Sequence, residues 1–595
     1  MKKKWNLREK ISQKFEAQFP EVNSVILQLL YNRGLKTQEE IDEFLMPDYS
    51  QDLHDPFLFQ DMTKAVERIF KAIKGGEKIL VYGDYDTDGI TSAALLKIVL
   101  EALGAKNLEV RLPDRESEGY GLNKGAIEEI AKKKVMLIIT CDCGITNKEE
   151  VELANNLGMD VIVTDHHEET TELPPAYAII DAKIKREKYL FKNLAGVGVA
   201  FKLAQALIHE FTFTRQSFAP QNLGGQAGTR NDTNNGTNWE GFEKWLLDLV
   251  AIGTVGDMCV LLGENRTLVR YGLMVLNKTK RLGLRKLIEV ADLSREGKLD
   301  AHSISFGLSP RLNAAGRLNH ANNAYKLLVT DEEEEAGELA TELNESNGAR
   351  RRLTDEMLKE SLKQIGEVKN QKILFALGND WLVGMVGLVA GKICDEYNRP
   401  VMVMTRRGNE ITGSGRSIIG FDIVGALEEI KKFLMEFGGH KEACGFTLKN
   451  IEDLEKFKRK LTQIAERELK SEDLLPVLSI DAEITLKDIN WELWESIEGF
   501  RPFGKGNPKP CFFMKNLKLE DIREVGQNGG HLKLKVSQMF QEKKKIFDAI
   551  GFGLGEWAEK LRFGQEIDMV SNIEANEWNG TKELQLKIVD LKLSD

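Results

Sequence analysis

From Lys78 onward, short apolar runs alternate with stretches whose apolar residues recur at helical spacing. Ile79–Gly83 is such a run, and Ile90–Leu103 follows it with the helical period. Leu108–Leu112 precedes a helical stretch at Asn123–Lys134, and Val135–Thr140 precedes another at Asn147–Leu157. Val161–Thr164 and Ala178–Ile180 continue the series. Apolar runs of strand length between helices of about a dozen residues predict a parallel, doubly wound α/β sheet. A second α/β pattern begins at Lys372 (KILFAL, VGLVAGKICDEY, PVMVMT) and continues to about residue 470. After Pro476, alternating stretches such as Leu532–Val536 and Glu583–Val589, separated by glycines, predict an all-β module.

Between these patterns lie segments of different character. Residues 212–239 are rich in Gly, Asn, Thr and Gln and predict a flexible, charge-poor surface insertion. Residues 331–366, rich in Glu, Leu, Lys and Arg, predict one long solvated helix or two shorter ones. The expected organisation is a helical leader at 1–60, a first α/β domain at 61–330 and a connecting helix at 331–370. A second, smaller α/β domain at 371–470 and a β module at 476–595 complete it.

Length and composition agree with several domains. A chain of 595 residues exceeds one hydrophobic core, since domains usually hold about 100–200 residues. With 42% hydrophobic and 29% charged residues, the composition is that of a globular protein. Met1–Pro20 is basic and amphipathic without a continuous apolar stretch, so no signal peptide is expected. The longest apolar runs fall far short of the roughly 20 residues that span a membrane. Six scattered cysteines (Cys141, Cys143, Cys259, Cys394, Cys444, Cys511) lack a disulfide framework and fit a cytoplasmic protein with reduced thiols. A net charge of −11 argues against a protein that coats nucleic acid by bulk electrostatics, but allows a local basic groove.

The candidate chemistry lies where strands end. Ile79–Gly83 runs into Asp84-Tyr85-Asp86-Thr87-Asp88-Gly89, Val135–Thr140 into Cys141-Asp142-Cys143-Gly144, and Val161–Thr164 into Asp165-His166-His167. In an open parallel sheet the carboxyl ends of neighbouring strands line one crevice, so these distant groups are expected to converge. Carboxylates gathered there repel unless a cation lies between them. Oxygen ligands with an imidazole suit Mn²⁺ or Mg²⁺. Taken singly, each residue has a blander reading: Asp88 as a helix N-cap, Asp142 as a turn residue, His166 as a satisfied core histidine. Their arrival on successive strand ends favours a shared metal site.

GDYDTDG, the Asp142-Cys143-Gly144 turn and Asp165-His166-His167 resemble, in order, the motifs of the DHH phosphoesterase superfamily. The resemblance implies a DHH domain, a DHHA1-like partner domain and a pair of Mn²⁺ or Mg²⁺ ions. It implies metal ligation by Asp86, Asp88, Asp142 and His166, with Asp142 bridging; Asp84 is expected to take over part of the ligation that a histidine at the Tyr82 position supplies elsewhere in the family, or else one ion is held loosely. Ile252-Gly253-Thr254-Val255-Gly256-Asp257 matches the family's fourth motif and adds Asp257, which pattern alone does not reveal. Asp142, His166, His167 and Asp165 would be the catalytic group, with His167 facing the scissile phosphate and Asp165 supporting it. Tyr82 stands where the family's pyrophosphatases use histidine, which counts against that activity.

Other segments point within the superfamily to RecJ exonucleases. Pro113-Asp114-Arg115, Glu118–Asn123 and Ser309–Arg317 resemble RecJ loops, while Gly413–Ser417 and Gly438-Gly439-His440 are similar to the DHHA1 domain. Arg115, Arg311, Asn313, Arg317, Arg416, Ser417, Gly438, Gly439 and His440 would then bind substrate, the arginines by clamping phosphates. Arg501–Pro510 resembles the start of an OB-like barrel, where Phe503, Phe512, Phe513, Trp491 and Trp494 are candidates to stack bases. Trp381-Leu382 departs from the family's Trp-His pair, so no catalytic role is expected there. The resemblance implies hydrolysis of single-stranded DNA, 5′ to 3′, to mononucleotides in repair and recombination. It also implies a monomer off the membrane, with single-strand-binding protein and a RecQ-type helicase as partners. The alternatives are a phosphodiesterase for short RNA or dinucleotides, usually a shorter chain, and a non-catalytic replication scaffold, which would have lost metal ligands.

Overall fold

The computed structural model describes residues 3–169, 172–217, 238–318, 320–526, 529–578 and 580–594. The core of the insertion expected at 212–239 lies outside them. Two compact units emerge: Tyr49–Cys259 with Thr267–Leu475, and Met1–Asp48 with Val260–Arg266 and Pro476–Asp595.

The first unit opens with a wholly parallel sheet. Its strand order is Leu108–Arg111, Ile79–Gly83, Leu137–Cys141, Asp160–Thr164 and Ala178–Ile180. The three central strands are buried along almost their whole length, which accounts for their continuous apolar runs. Register matters more for function. Gly83 pairs with Cys141 and Cys141 with Thr164, so the next residues, Asp84, Asp142 and Asp165, leave the sheet at one edge. Helices Thr87–Ala102 and Leu247–Gly256 are buried nearly all round and pack with Gly196–Ser217. Their low amphipathicity follows from that central position.

A 33-residue helix, Glu333–Ile365, leads to the second lobe. There a mixed sheet runs in the order Leu434–His440, Ala443–Leu448, Glu410–Arg416, Val401–Arg407, Leu374–Asn379. Its last pair is parallel and the others antiparallel. Val383–Tyr397 covers it with Met385, Val386, Val389 and Ile393 in the core.

In the other unit, five strands close on themselves: Phe512–Val525, His531–Phe540, Lys543–Gly551, Thr581–Leu593 and Glu566–Trp578, which returns to the first. This is the expected OB-like barrel, and closure removes the exposed sheet edge. The N-terminal residues hold helices Gln13–Glu16, Ser24–Asn32 and Gln38–Leu45 and belong to the same compact unit as the barrel. Lys4–Leu7 is a strand parallel to Val477–Ile480. Trp5 fixes it, donating its indole N–H to Asp590 (2.8 Å) and meeting the Phe513 ring edge-on. Among the described residues no helix is long and apolar enough to cross a membrane.

Candidate metal centre

Each group at the sheet edge is held by local backbone chemistry. Asp86 caps the Thr87–Ala102 helix, accepting the N–H groups of Asp88 (2.9 Å) and Gly89 (3.2 Å). Asp88 accepts the N–H of Gly196 (2.7 Å) and of Val197 (2.8 Å), at the start of the next buried helix. Asp142 adopts a left-handed conformation with φ 63°, turning the chain sharply out of its strand. A Cβ on Gly196 would stand 2.7 Å from the Asp142 Cβ, so only glycine permits this approach. Asp257 follows the Leu247–Gly256 helix as its C-cap.

These residues converge. His166 Nε2 lies 3.1 Å from Asp142 Oδ1 and 3.8 Å from both Asp88 Oδ2 and Asp257 Oδ2. Asp84, Asp86 and Asp142 offer oxygens within 4.8 Å of one another, as do the donors of Asp142, His166 and His167. Burial pushes the Asp84, Asp88 and Asp142 carboxyls well above the usual carboxylate range, and neighbouring carboxylates push further; Asp86 also rises. Burial lowers the His166 imidazole to about 4. Among the described residues, neither ring nitrogen of His166, nor Asp84 Oδ1, has a hydrogen-bond partner. Buried carboxylates facing one another, with a neutral imidazole offering unused lone pairs, fit hard divalent cations.

Beside this cluster, fully buried Asp165 accepts the Ile145 N–H (2.9 Å) and holds His167 Nδ1 at 2.8 Å. Burial opposes charge on His167, but the bond and charge of Asp165 prevail, raising its pKa to about 9. The Tyr120 hydroxyl donates to the Asp142 carbonyl (3.1 Å) and stands 2.9 Å from His167 Nδ1. Sequence pattern alone does not reveal this placement of Tyr120, although the residue lies in the Glu118–Asn123 loop. Tyr82 points elsewhere, into the core, where its hydroxyl donates to Gly121. Cys141 and Cys143 also turn away, each with its sulfur 3.8 Å from the Tyr82 carbonyl oxygen.

A cleft of about 820 Å³ runs between the two α/β lobes, bordered by Tyr85, Arg115, Tyr120, Arg317, Ser414 and Arg416. Arg115 lies over the Tyr85 ring at 4.8 Å. Burial, with Arg115 and Arg350 nearby, lowers the Arg317 guanidinium to about 9, as expected where cations await an anion. Gly438 joins the lining, whereas Gly439 and His440 border a separate hollow with Asp422 and Lys441.

Several residues expected to bind substrate are engaged otherwise. Arg311 donates to Asn344 (2.9 Å) and to the Gly307 carbonyl (2.7 Å), away from the cleft lining. Asn313 accepts the Thr87 N–H (2.7 Å) and so positions the helix bearing Asp88. The Ser417 hydroxyl donates to the Phe421 carbonyl. In the barrel, Phe512 and Phe513 are core and cannot stack on bases, while Phe503 and Trp494 pack partly against the core. Trp491 is 40% exposed, and Phe552 (58%) and Phe563 (75%), which no pattern singles out, are more open.

The DHH family N-terminal domain matches residues 78–254, the DHHA1 domain 370–467 and the RecJ OB domain 480–590. The single-stranded-DNA-specific exonuclease RecJ of Bacillus subtilis is 37% identical over 577 residues, 96% of this chain and 68% of that protein. RecJ of Haemophilus influenzae is 32% identical, covering 95% of this chain and 96% of its own length. The crystal structure of Thermus thermophilus RecJ with Mn²⁺ superposes with a TM-score of 0.80 at 28% identity, covering 99% of this chain and 80% of that one.

Proposed function

This chain belongs to the RecJ family of single-stranded-DNA-specific exonucleases, and we propose that the cluster at its strand tips is the metal centre with which it degrades single-stranded DNA. The activity is metal-dependent phosphodiester hydrolysis, with Mn²⁺ or Mg²⁺ as cofactor. The main support for the proposed centre is that Asp142, Asp88 and Asp257 oxygens lie within 3.1–3.8 Å of one unpartnered imidazole nitrogen.

Asp84, Asp86, Asp88, Asp142, Asp257 and His166 would hold a pair of divalent cations. When bound, such ions neutralise the phosphate and make water nucleophilic near neutral pH. The chain's own groups do the rest. Arg115, Arg317 and Arg416 orient the strand by its phosphates. His167 keeps its proton at neutral pH because of Asp165, and donates from Nε2 to the scissile phosphate. Asp165 and Tyr120 fix that ring through Nδ1.

Degradation from the 5′ end to mononucleotides, single-strand-binding protein and a RecQ-type helicase as partners, and a monomeric state are what the family resemblance implies. A cytoplasmic location fits six cysteines that form no disulfide. Digestion of end-labelled single-stranded DNA with Mn²⁺, with Mg²⁺ and with chelator tests the assignment. Stepwise loss of nucleotides is expected with either ion and none with chelator. Cleavage of a dinucleotide but not of a long strand would overturn it.

A further inference from the structure

One sulfur atom sits at the edge of this oxygen-rich centre. Cys259, two residues beyond Asp257, points its thiol to Asp257 Oδ2 at 3.0 Å. The donor atoms of His166, Asp257 and Cys259 all lie within 4.8 Å of one another. His166 is buried, 7% exposed, and among the described residues both of its ring nitrogens lack a hydrogen-bond partner. A nitrogen, an oxygen and a sulfur so grouped are a different donor set from the carboxylates around Asp142. In a tetrahedral zinc shell, with metal–ligand lengths of about 2.0–2.3 Å, donors stand on the order of 3.5 Å apart, so modest contraction closes the set.

We propose that Cys259, with Asp257 and His166, forms a soft-metal site that captures Zn²⁺ or Cd²⁺ and thereby inhibits the enzyme. Thiolate ligands favour these ions over Mn²⁺ and Mg²⁺, and Zn²⁺ stands above Mn²⁺ in the general affinity order. On binding, the Cys259 S–H bond breaks, its proton passes to solvent and a metal–sulfur bond forms. Asp257 and His166 are then withdrawn from the hard-ion centre. Cys141 and Cys143 do not take part, because their sulfurs lie beside the Tyr82 carbonyl in the core. The inhibitory consequence rests on the function proposed above, whereas the binding does not.

The full chain is titrated with Cd²⁺ while the ultraviolet sulfur-to-cadmium charge-transfer band is followed, and cleavage in Mn²⁺ is titrated with Zn²⁺. Wild-type protein should show the band and be inhibited. Cys259→Ala should lose the band, retain cleavage in Mn²⁺ and need about 10- to 100-fold more Zn²⁺ for equal inhibition. Cys259→Ser, which keeps a donor to Asp257, should match the alanine variant toward Cd²⁺ and so separate sulfur ligation from mere positioning of Asp257. A band that survives Cys259→Ala, or no band in wild type, overturns the site, as does equal Zn²⁺ sensitivity of both proteins. A Cys259-dependent band in a protein without Mn²⁺-dependent cleavage supports the site and counts against the nuclease assignment instead.

Discussion

His166 Nε2 stands 3.1 Å from Asp142 Oδ1, yet this pair is not aligned as a hydrogen bond and the imidazole nitrogen stays unpartnered in a buried position. Two potential ligands face each other with room for a cation to draw them together. Metal-free protein should therefore carry an electrostatic cost that Mn²⁺ removes. Melting should rise with Mn²⁺, by about 2.7 kcal/mol in stability at a hundredfold excess over Kd. Asp142→Asn should raise metal-free stability and abolish most of that response.

The same cluster sets a pH dependence. Carboxyls whose folded pKa is raised stabilise the fold while protonated, and that contribution is lost as pH rises. For Asp84, Asp86, Asp88 and Asp142 the window begins near the ordinary carboxylate value, about pH 4, and extends upward. Metal-free protein should thus lose this contribution progressively as pH rises above the ordinary carboxylate range, and saturating Mn²⁺ should flatten the slope. Denaturant titrations at several pH values, with and without the ion, measure both.

His167 owes its raised pKa to Asp165. Asp165→Asn should lower it and move the alkaline limb of the kcat profile to lower pH. His167→Ala should remove that limb and reduce kcat about 10²–10³-fold, with little change in strand affinity.

How much of this was legible in the sequence depends on what each residue needs. Asp84, Asp142 and Asp165 could be placed together because strand alternation fixes the topology and topology fixes which ends align; Gly83, Cys141 and Thr164 are register partners. Asp257 follows a helix rather than a strand, so only the family motif found it. The N–H groups of Gly196 and Val197 that anchor Asp88 were missed, although a Gly-Val-Gly opening to an apolar helix was there to be seen. Arg311, Ser417 and Phe512 make contacts that the pattern does not foresee, because the direction of a side chain depends on packing between elements, which periodicity does not encode.

The cleft sorts these residues experimentally. Arg416→Ala should raise KM for single-stranded DNA and reduce the salt slope of binding by about 0.7. Ser417→Ala, whose hydroxyl serves the Phe421 carbonyl, should leave both unchanged. In the barrel, Phe552→Ala should weaken binding of long strands by about 1–3 kcal/mol if that exposed ring stacks on a base. Phe512→Ala should instead destabilise the fold by about 3–5 kcal/mol, since that ring is core. Binding isotherms and unfolding curves distinguish the two.

The claim that matters most is that aligned strand ends deliver one metal-holding pocket that performs the cleavage. Asp142→Ala, assayed on end-labelled single-stranded DNA in Mn²⁺ with strand binding measured in parallel, tests it most directly. Binding should remain while nucleotide release disappears. Near-normal turnover by the Asp142→Ala protein would contradict the account.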